Sequence, residues 1–506
     1  MNAFPSDDAR AMNQPTLAML EQASAAGDER ARLALADRLF REHRFDSPEH
    51  ARGISLLQDA AKGPRSGEAC WMLGAYYLQV TTWPDAHRHA AHWLGRASDA
   101  GIAPAMDRLA NLHLRGLGVP QDAARAIALQ QMLADGGFQQ AAWEVGYLLS
   151  QQPSHDAAAA TAFARACALG YPSAYYALGL RFALGAGVAR DAPLGRALLL
   201  RAADAGFPDA RDAADELVPA SEAGDAAARW HAALKDNLVA ARQVLAQLMP
   251  ADRPPGAPVH PLVPRLEAHF AALGHPALRI DAGGRLAVGG DGSASLRAQP
   301  RVDWLAQQPR VARVSDFATR EEAASLMHRV AATLARPDAY KRRLGGNDAG
   351  ELASFSGRGA VIDALHADAV VRLLESRIAG LTDWPVDALE PCSIVRYAPG
   401  EEYRPHADFI TDDDIAANAS ERGDLGGQRV ATFLVCLRAP ESGGETRYLE
   451  PGLVVAAARG AGILHYNVTA DGRPDASSTH AGLPVGGGEK WLWRSTLRAH
   501  SLYASA

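Results

Sequence analysis

At 506 residues the chain exceeds what one ordinary hydrophobic core supports, and its length predicts about two to four domains. A formal net charge of −7 argues against a general binder of nucleic acid or of anionic membrane surfaces. The cysteines Cys70, Cys167, Cys392 and Cys436 are far apart with no C-x-x-C pairing, so a disulfide framework or structural zinc is not expected and a reducing compartment fits better.

Residues 1–15 are read as a disordered tail. They lack a basic segment followed by an apolar core, and the chain has no run of about 18 apolar residues. A soluble, cytoplasmic protein is therefore expected. From Thr16 to Gln247 apolar residues recur at helical spacing with almost no strand signal. An alanine-rich helix end closing on glycine recurs at Gly63, Gly101, Gly137, Gly170 and Gly206, where glycine can end a helix in the left-handed conformation. A second marker keeps the same register: Gly116-Leu-Gly118-Val is echoed by Gly185-Ala-Gly187-Val. Each unit is a helix pair that buries its apolar face only against the next pair, so residues 16–247 are predicted to form an α-solenoid of helix-turn-helix repeats. With stretches such as Ala69-Cys-Trp-Met-Leu-Gly-Ala-Tyr-Tyr77, the array resembles Sel-one-like repeats, relatives of the tetratricopeptide repeat. The resemblance implies a protein partner docked on a concave face.

Residues 248–265 hold Pro250, Pro254, Pro255, Pro258, Pro261 and Pro264, which cannot continue a helix and mark a semi-rigid linker. Residues 266–305 are read as a small connecting segment, with a hairpin or meander around 278–296 that carries no assigned function. Beyond it β-branched residues increase and glycine turns appear. Helices are predicted over Glu321–Leu334 and Asp363–Leu381. The second contains His366-Ala-Asp368, but residues two apart on a helix point about 200° away from each other and cannot share an ion, so both are read as helix-start residues.

The same spelling has a different setting at His406-Ala-Asp408. A β-prone run, Ser393–Tyr397, turns at Pro399-Gly400 and returns through Tyr403 toward this histidine and aspartate. On an extended strand side chains two apart share a face and can converge on one metal ion. An acidic loop, Thr411 to Gly427, precedes three strand-like runs at Arg429–Leu437, Gly460–Tyr466 and Lys490–Leu497, with glycine turns at 443–444 and 486–488. The pattern predicts an antiparallel, double-sheet barrel. His480 stands ten residues before Lys490, across a glycine-rich turn that puts a metal ligand and a cation on neighbouring strands. A small dicarboxylate could bridge an ion at the histidine and the ammonium at Lys490.

Taken in order, Tyr397, His406-x-Asp408, Arg429-x-x-Thr432, Gly443-Gly-Glu-Thr446 and His480 followed by Lys490-Trp491 are similar to the iron(II)/2-oxoglutarate dioxygenases of the prolyl 4-hydroxylase type. The resemblance implies a double-stranded β-helix (jelly-roll) with flanking helices over residues 306–506. It implies Fe(II) on His406, Asp408 and His480, the C5 carboxylate of 2-oxoglutarate on Lys490, and Tyr397 and Thr432 lining the cosubstrate pocket. Two imidazoles and one carboxylate on one face of Fe(II) leave positions for the keto acid and O2, and an aspartate at 408 argues against the related halogenases. Ascorbate is an additional expected cofactor. Cys436-Leu437-Arg438 replaces a Tyr-Leu-Asn common in the family, and Ala353 to Arg358 replaces an Arg-x-Ser segment. Stretches 340–358 and 409–427 would cover the substrate, with Arg342, Arg343 and Tyr403 as its contacts. His465, His500, Trp491, Trp493 and Cys436 are read as structural.

The activity expected is hydroxylation of a prolyl residue of a protein or peptide that the repeat array recruits, with release of succinate and CO2. Hydroxylation of a free amino acid or other small molecule is the alternative. An inert barrel serving as a repeat adaptor is the second.

Overall fold

The computed structural model of the chain describes residues 15–43, 47–79, 85–228, 231, 297–335, 355–363, 366–411 and 426–502. The proline-rich linker, the 278–296 hairpin, Arg342, Arg343 and most of the two covering stretches lie outside these residues, as does nearly all of the N-terminal tail.

Among the described residues the first half is built of helices. In chain order it comprises α1 (Leu17–Ala25), α2 (Glu29–Glu42), α3 (Pro48–Ala60), α4 (Ser66–Gln79), α5 (Ala86–Asp99), α6 (Ala103–Arg115), α7 (Ala123–Asp135), α8 (Gln139–Leu149), α9 (Asp156–Ala168), α10 (Pro172–Leu184), α11 (Ala192–Asp204) and α12 (Ala210–Leu217). Asp28, Ser47, Asp122 and Asp191 cap their helices by accepting from backbone N–H groups that the first turn leaves unpaired. Gly101, Gly137, Gly170 and Gly206 have φ of 80°, 88°, 84° and 78°, the left-handed conformation that the repeat markers predict. Gly63 is the exception, since it is absent from the left-handed residues. It precedes Pro64, whose ring confines the preceding residue to extended backbone. At Gly118 and Gly187 a Cβ would collide with the backbone of His87 and Asp156, so the second marker lets successive units approach closely.

The second half begins with β1 (Arg301–Gln307) and β2 (Arg310–Ser315), followed by α13 (Arg320–Val330), β3 (Arg358–Ile362) and α14 (Ala369–Thr382). Then come β4 (Cys392–Tyr397), β5 (Tyr403–His406), β6 (Arg429–Arg438), β7 (Ser442–Gly443), β8 (Thr446–Tyr448), β9 (Val454–Val455), β10 (Gly462–Tyr466), β11 (His480–Gly482), β12 (Val485–Gly487) and β13 (Lys490–Arg498). A seven-stranded sheet runs β1-β2-β10-β6-β13-β4-β3 and a four-stranded sheet runs β5-β11-β8-β9. The pairings within both are antiparallel. Val311 and Ile463 of the larger sheet pack with Tyr448 and Val455 of the smaller, so the two sheets close on a common interior. β1 belongs to the larger sheet from Arg301 onward, so the last residues of the expected connecting segment are already part of the barrel.

The other face of the large sheet carries Ile394, Phe433, Leu464 and Trp493, which share one core with α13, α14 and the repeat helices. The halves therefore pack directly on each other. Tyr147 of α8 donates to Glu322 Oε1 at 2.6 Å, and Arg377 of α14 grips the same carboxylate at 2.6 and 2.8 Å. Fully buried Arg181 of α10 meets Glu321 at 3.0 Å, and Arg115 of α6 donates to the carbonyl of Val386 at 2.7 Å. Part of the surface of the array is thus covered by the chain's own second half. Among the described residues no helix is long and apolar enough to cross a membrane, and all four cysteines are free thiols.

The sequence decoy resolves cleanly. His366 and Asp368 lie ahead of α14 rather than within it: His366 is exposed and bonds Asp363, while Asp368 is the N-cap, accepting from Val371 and pairing with Arg329.

Candidate metal centre

β5 and β11 are neighbours in the small sheet, and their register places His406 directly opposite His480. Asp408 follows two residues after the end of β5, its carboxylate turned inward and buried. One ligand atom from each of the three lies within 4.8 Å of those of the other two. His406 Nδ1 donates to the Arg404 carbonyl at 2.8 Å and His480 Nδ1 to the Ser478 carbonyl at 3.0 Å. Each bond fixes the tautomer and leaves Nε2 with its lone pair toward the centre. The Nε2 atoms stand 3.7 and 4.0 Å from the Asp408 oxygens.

The charge states suit a cation. Burial lowers the His406 imidazole below its usual value and pushes His480 down to about 3, with His465 and His406 adding to the latter. Burial alone would raise the Asp408 carboxyl, but the hydrogen bond from His465 and the surrounding imidazoles outweigh it and hold the group well below the usual range. Two neutral nitrogens and one anionic oxygen converging on one point form the donor set of a facial triad, which suits Fe(II).

Two residues not read from the sequence as supports of the ligands stand behind this set. His465 is fully buried; it accepts from the Tyr448 hydroxyl at 2.9 Å through Nδ1 and donates from Nε2 to Asp408 Oδ2 at 3.3 Å. It positions the carboxylate rather than merely filling the core. Tyr403, expected at the substrate, stacks on the His406 ring with centroids 3.6 Å apart and planes 15° apart. Outer partners of metal ligands typically contribute about 10- to 100-fold in metal affinity. His465→Ala is accordingly expected to weaken iron binding by that factor, read by anaerobic metal titration.

Lys490 opens β13, opposite Tyr397 of β4. Its side chain is buried, and Nζ lies 5.9 Å from the Tyr397 ring centroid. Burial lowers its pKa to about 8, against weak support from Cys436 and Glu445. It lines a cavity between the sheets together with Cys436, Thr446, Leu492 and Arg313. Thr432 does not line this cavity. It sits on the same inward row of β6, but its hydroxyl accepts from Asn467 Nδ2 at 3.1 Å. Thr446 does line the cavity, and the Gly443-Gly-Glu-Thr446 run was the signal available in the sequence. Trp493 and Trp491 point the other way, into the core shared with the helices.

No family model matches the chain. Over 218 residues it is 28% identical to prolyl 4-hydroxylase 5 of Arabidopsis thaliana, covering 39% of this chain and 72% of the relative. Among solved structures, it is similar to a viral collagen prolyl hydroxylase from Paramecium bursaria Chlorella virus-1 in complex with 2-oxoglutarate (21% identity, 37% of this chain, 96% of that one, TM-score 0.28). It is also similar to a Sel1 repeat protein from Oxalobacter formigenes (24% identity, 48% of this chain, 69% of that one, TM-score 0.36). Probable prolyl 4-hydroxylase 9 of Arabidopsis thaliana is 30% identical over 210 residues, a match spanning 38% of this chain and 70% of the relative. At that identity over more than two thirds of the relative's length, the chain belongs to the prolyl 4-hydroxylase family of 2-oxoglutarate-dependent dioxygenases.

Proposed function

We propose that the protein hydroxylates a prolyl residue of a protein or peptide, using Fe(II) held by His406, Asp408 and His480 and 2-oxoglutarate held by Lys490. The observation that carries this reading is the convergence of the three ligand atoms within 4.8 Å, each imidazole locked by a backbone carbonyl. Bound iron supplies the activation of O2 that couples decarboxylation of 2-oxoglutarate, to succinate and CO2, with insertion of one oxygen atom into a substrate C–H bond. The chain's own residues supply geometry. Tyr448 orients His465, His465 orients Asp408, and the Tyr403 ring keeps the His406 imidazole from rotating. Lys490 offers a buried ammonium to the far carboxylate, and the cavity around it is largely apolar, which excludes water from that contact and strengthens it. The protein partner of the repeat array would dock on faces that the dioxygenase half leaves uncovered.

The test is succinate formation by iron-loaded protein, alongside the gain of one oxygen atom by proline-containing peptides in intact-mass measurements. Iron-loaded protein that neither binds 2-oxoglutarate nor releases succinate would defeat the assignment. Removing a charge-assisted hydrogen bond costs roughly 10- to 100-fold, so Lys490→Met is expected to raise the KM for 2-oxoglutarate by about that factor. The same contact predicts a pH dependence. Lys490 is charged below its pKa of about 8 and loses its proton as pH rises, so the KM for 2-oxoglutarate is expected to climb above that pH. The Cys436 thiol beside it does not titrate in that range, since burial pushes it up to about 11.

A further inference from the structure

The cavity that contains Lys490 is walled in part by the loop between β9 and β10, through Ala456, Ala457, Ala458 and Ala461. With side chains this small the wall is shaped by backbone, so the seating of the loop sets the width of the cavity. Backbone bonds hold it from within the dioxygenase half. The Gly460 N–H donates to the Cys436 carbonyl at 2.8 Å and the Cys436 N–H to the Ala461 carbonyl at 2.9 Å, while the Gly460 carbonyl accepts from Phe317 and Ala318 at 2.9 and 3.0 Å. Gly460 has φ of 74°, and a Cβ there would stand 2.4 Å from the Ala318 oxygen, so only glycine lets the loop approach α13 this closely.

A further attachment comes from the repeat array. Arg459, inside the loop, places its guanidinium 3.1 Å from the Asp209 carboxylate, and its charge reaches the Cys436 thiol on the cavity wall, opposing the rise that burial causes. Asp209 stands immediately before α12 with φ of 66°, a left-handed conformation that disfavours a residue with a Cβ. Its carboxylate makes no cap bond to α12. Buried, it turns to other elements instead: it accepts from the Tyr176 hydroxyl of α10 at 3.0 Å and meets Arg320, the first residue of α13, at 2.7 Å. Beside it Asp212 of α12 lies 3.4 Å from Arg438, two residues beyond Cys436 on β6. One carboxylate of the array thus joins α10, α13 and the loop that walls the cavity.

Resting on the assignment of this cavity to 2-oxoglutarate, we propose that Asp209 and Arg459 are positioning residues for the cosubstrate: through them the repeat array seats the loop that walls the cavity and so sets the affinity for 2-oxoglutarate. Neither side chain lines the cavity, so both act through the loop backbone. The array is then part of the cosubstrate site rather than a separate module. Because binding free energies are reciprocal, 2-oxoglutarate that seats the loop also strengthens the hold of the array on it.

The experiment compares wild type, Arg459→Gln, Arg459→Lys, Asp209→Asn and Tyr147→Phe as full-length protein loaded with manganese(II), which fills the metal site without turnover. Binding of manganese(II) and then of 2-oxoglutarate is measured by calorimetry, and thermal unfolding is followed in parallel. Residues that touch neither ligand shift coupled binding by about 2- to 30-fold. Arg459→Gln is expected to weaken 2-oxoglutarate within that range while leaving manganese(II) affinity unchanged, and Arg459→Lys to recover part of the loss, since it keeps a positive charge opposite Asp209. Asp209→Asn should give a comparable loss, and adding Arg459→Gln to it no further one. Tyr147→Phe removes a hydrogen bond elsewhere on the seam, so it is expected to lower the unfolding midpoint without changing 2-oxoglutarate affinity. Unchanged 2-oxoglutarate affinity in Arg459→Gln, or losses at Asp209 and Arg459 that simply add, would overturn the proposal. An equal loss in Tyr147→Phe would do so too, since it would mark a general loosening of the seam. A wild type that binds manganese(II) but not 2-oxoglutarate would instead overturn the assignment of the cavity itself.

Discussion

Replacing His480 by alanine is expected to cut succinate formation on the order of 10³-fold or more, the consequence of losing an ion whose contribution to the barrier is several kcal/mol. His480 is the informative ligand to remove. It is buried at the start of β11, paired across the sheet with His406, and its ring lies 4.5 Å from that of His406 and 4.6 Å from that of His465. Alanine leaves one imidazole and one carboxylate, too few to hold Fe(II) with the correct face open. Iron content after gel filtration should fall together with turnover. His366→Ala is the matched control: it removes an exposed histidine from an identical His-Ala-Asp sequence, and wild-type turnover is expected. A His480→Ala protein that keeps its iron and its rate would place the metal elsewhere in the molecule.

That contrast shows how far the sequence reaches. The two His-Ala-Asp triplets are indistinguishable by spelling, and what separates them is the strand leading into His406 and the partner at His480. Both signals are local or periodic, so both are readable. The repeat array was legible for the same reason: Gly101, Gly137, Gly170 and Gly206 mark one backbone conformation that few other residues adopt. Gly63 misled because the neighbouring proline decides that backbone. His465 was not legible, because its meaning depends on what faces it across the barrel. Alternation alone gives the face of a strand, but not the group opposite. Thr432 shows the same limit: alternation places it on the inward face, but not the Asn467 amide that its hydroxyl meets there. The seam between the halves was hidden by residue type. Arginine and glutamate read as surface residues, and nothing near Arg181 announces that its partner, Glu321, lies 140 residues away.

The seam predicts the second large effect. Glu322→Gln is expected to destabilise the whole protein by about 3–5 kcal/mol, the typical cost of leaving one partner of a buried ion pair uncompensated. Glu322 is fully buried. Burial alone would raise its carboxyl, but Arg377 outweighs burial and holds the group below its ordinary value of 4.5. The contribution is therefore present above the ordinary carboxylate range and lost as pH falls through the depressed value, so the gap between wild type and Glu322→Gln should narrow in acid. Because Tyr147 from the array and Arg377 from the dioxygenase half share this one carboxylate, denaturation of the wild type should proceed as one transition for both halves. Deleting residues 1–247 would expose the apolar faces of α13 and α14 with Glu321 and Glu322 among them, and a truncated chain that aggregates or lacks a cooperative transition is expected. If the truncated chain instead unfolds cooperatively and releases succinate at the full rate, the array does not support the fold. Its task would then lie wholly in binding other proteins.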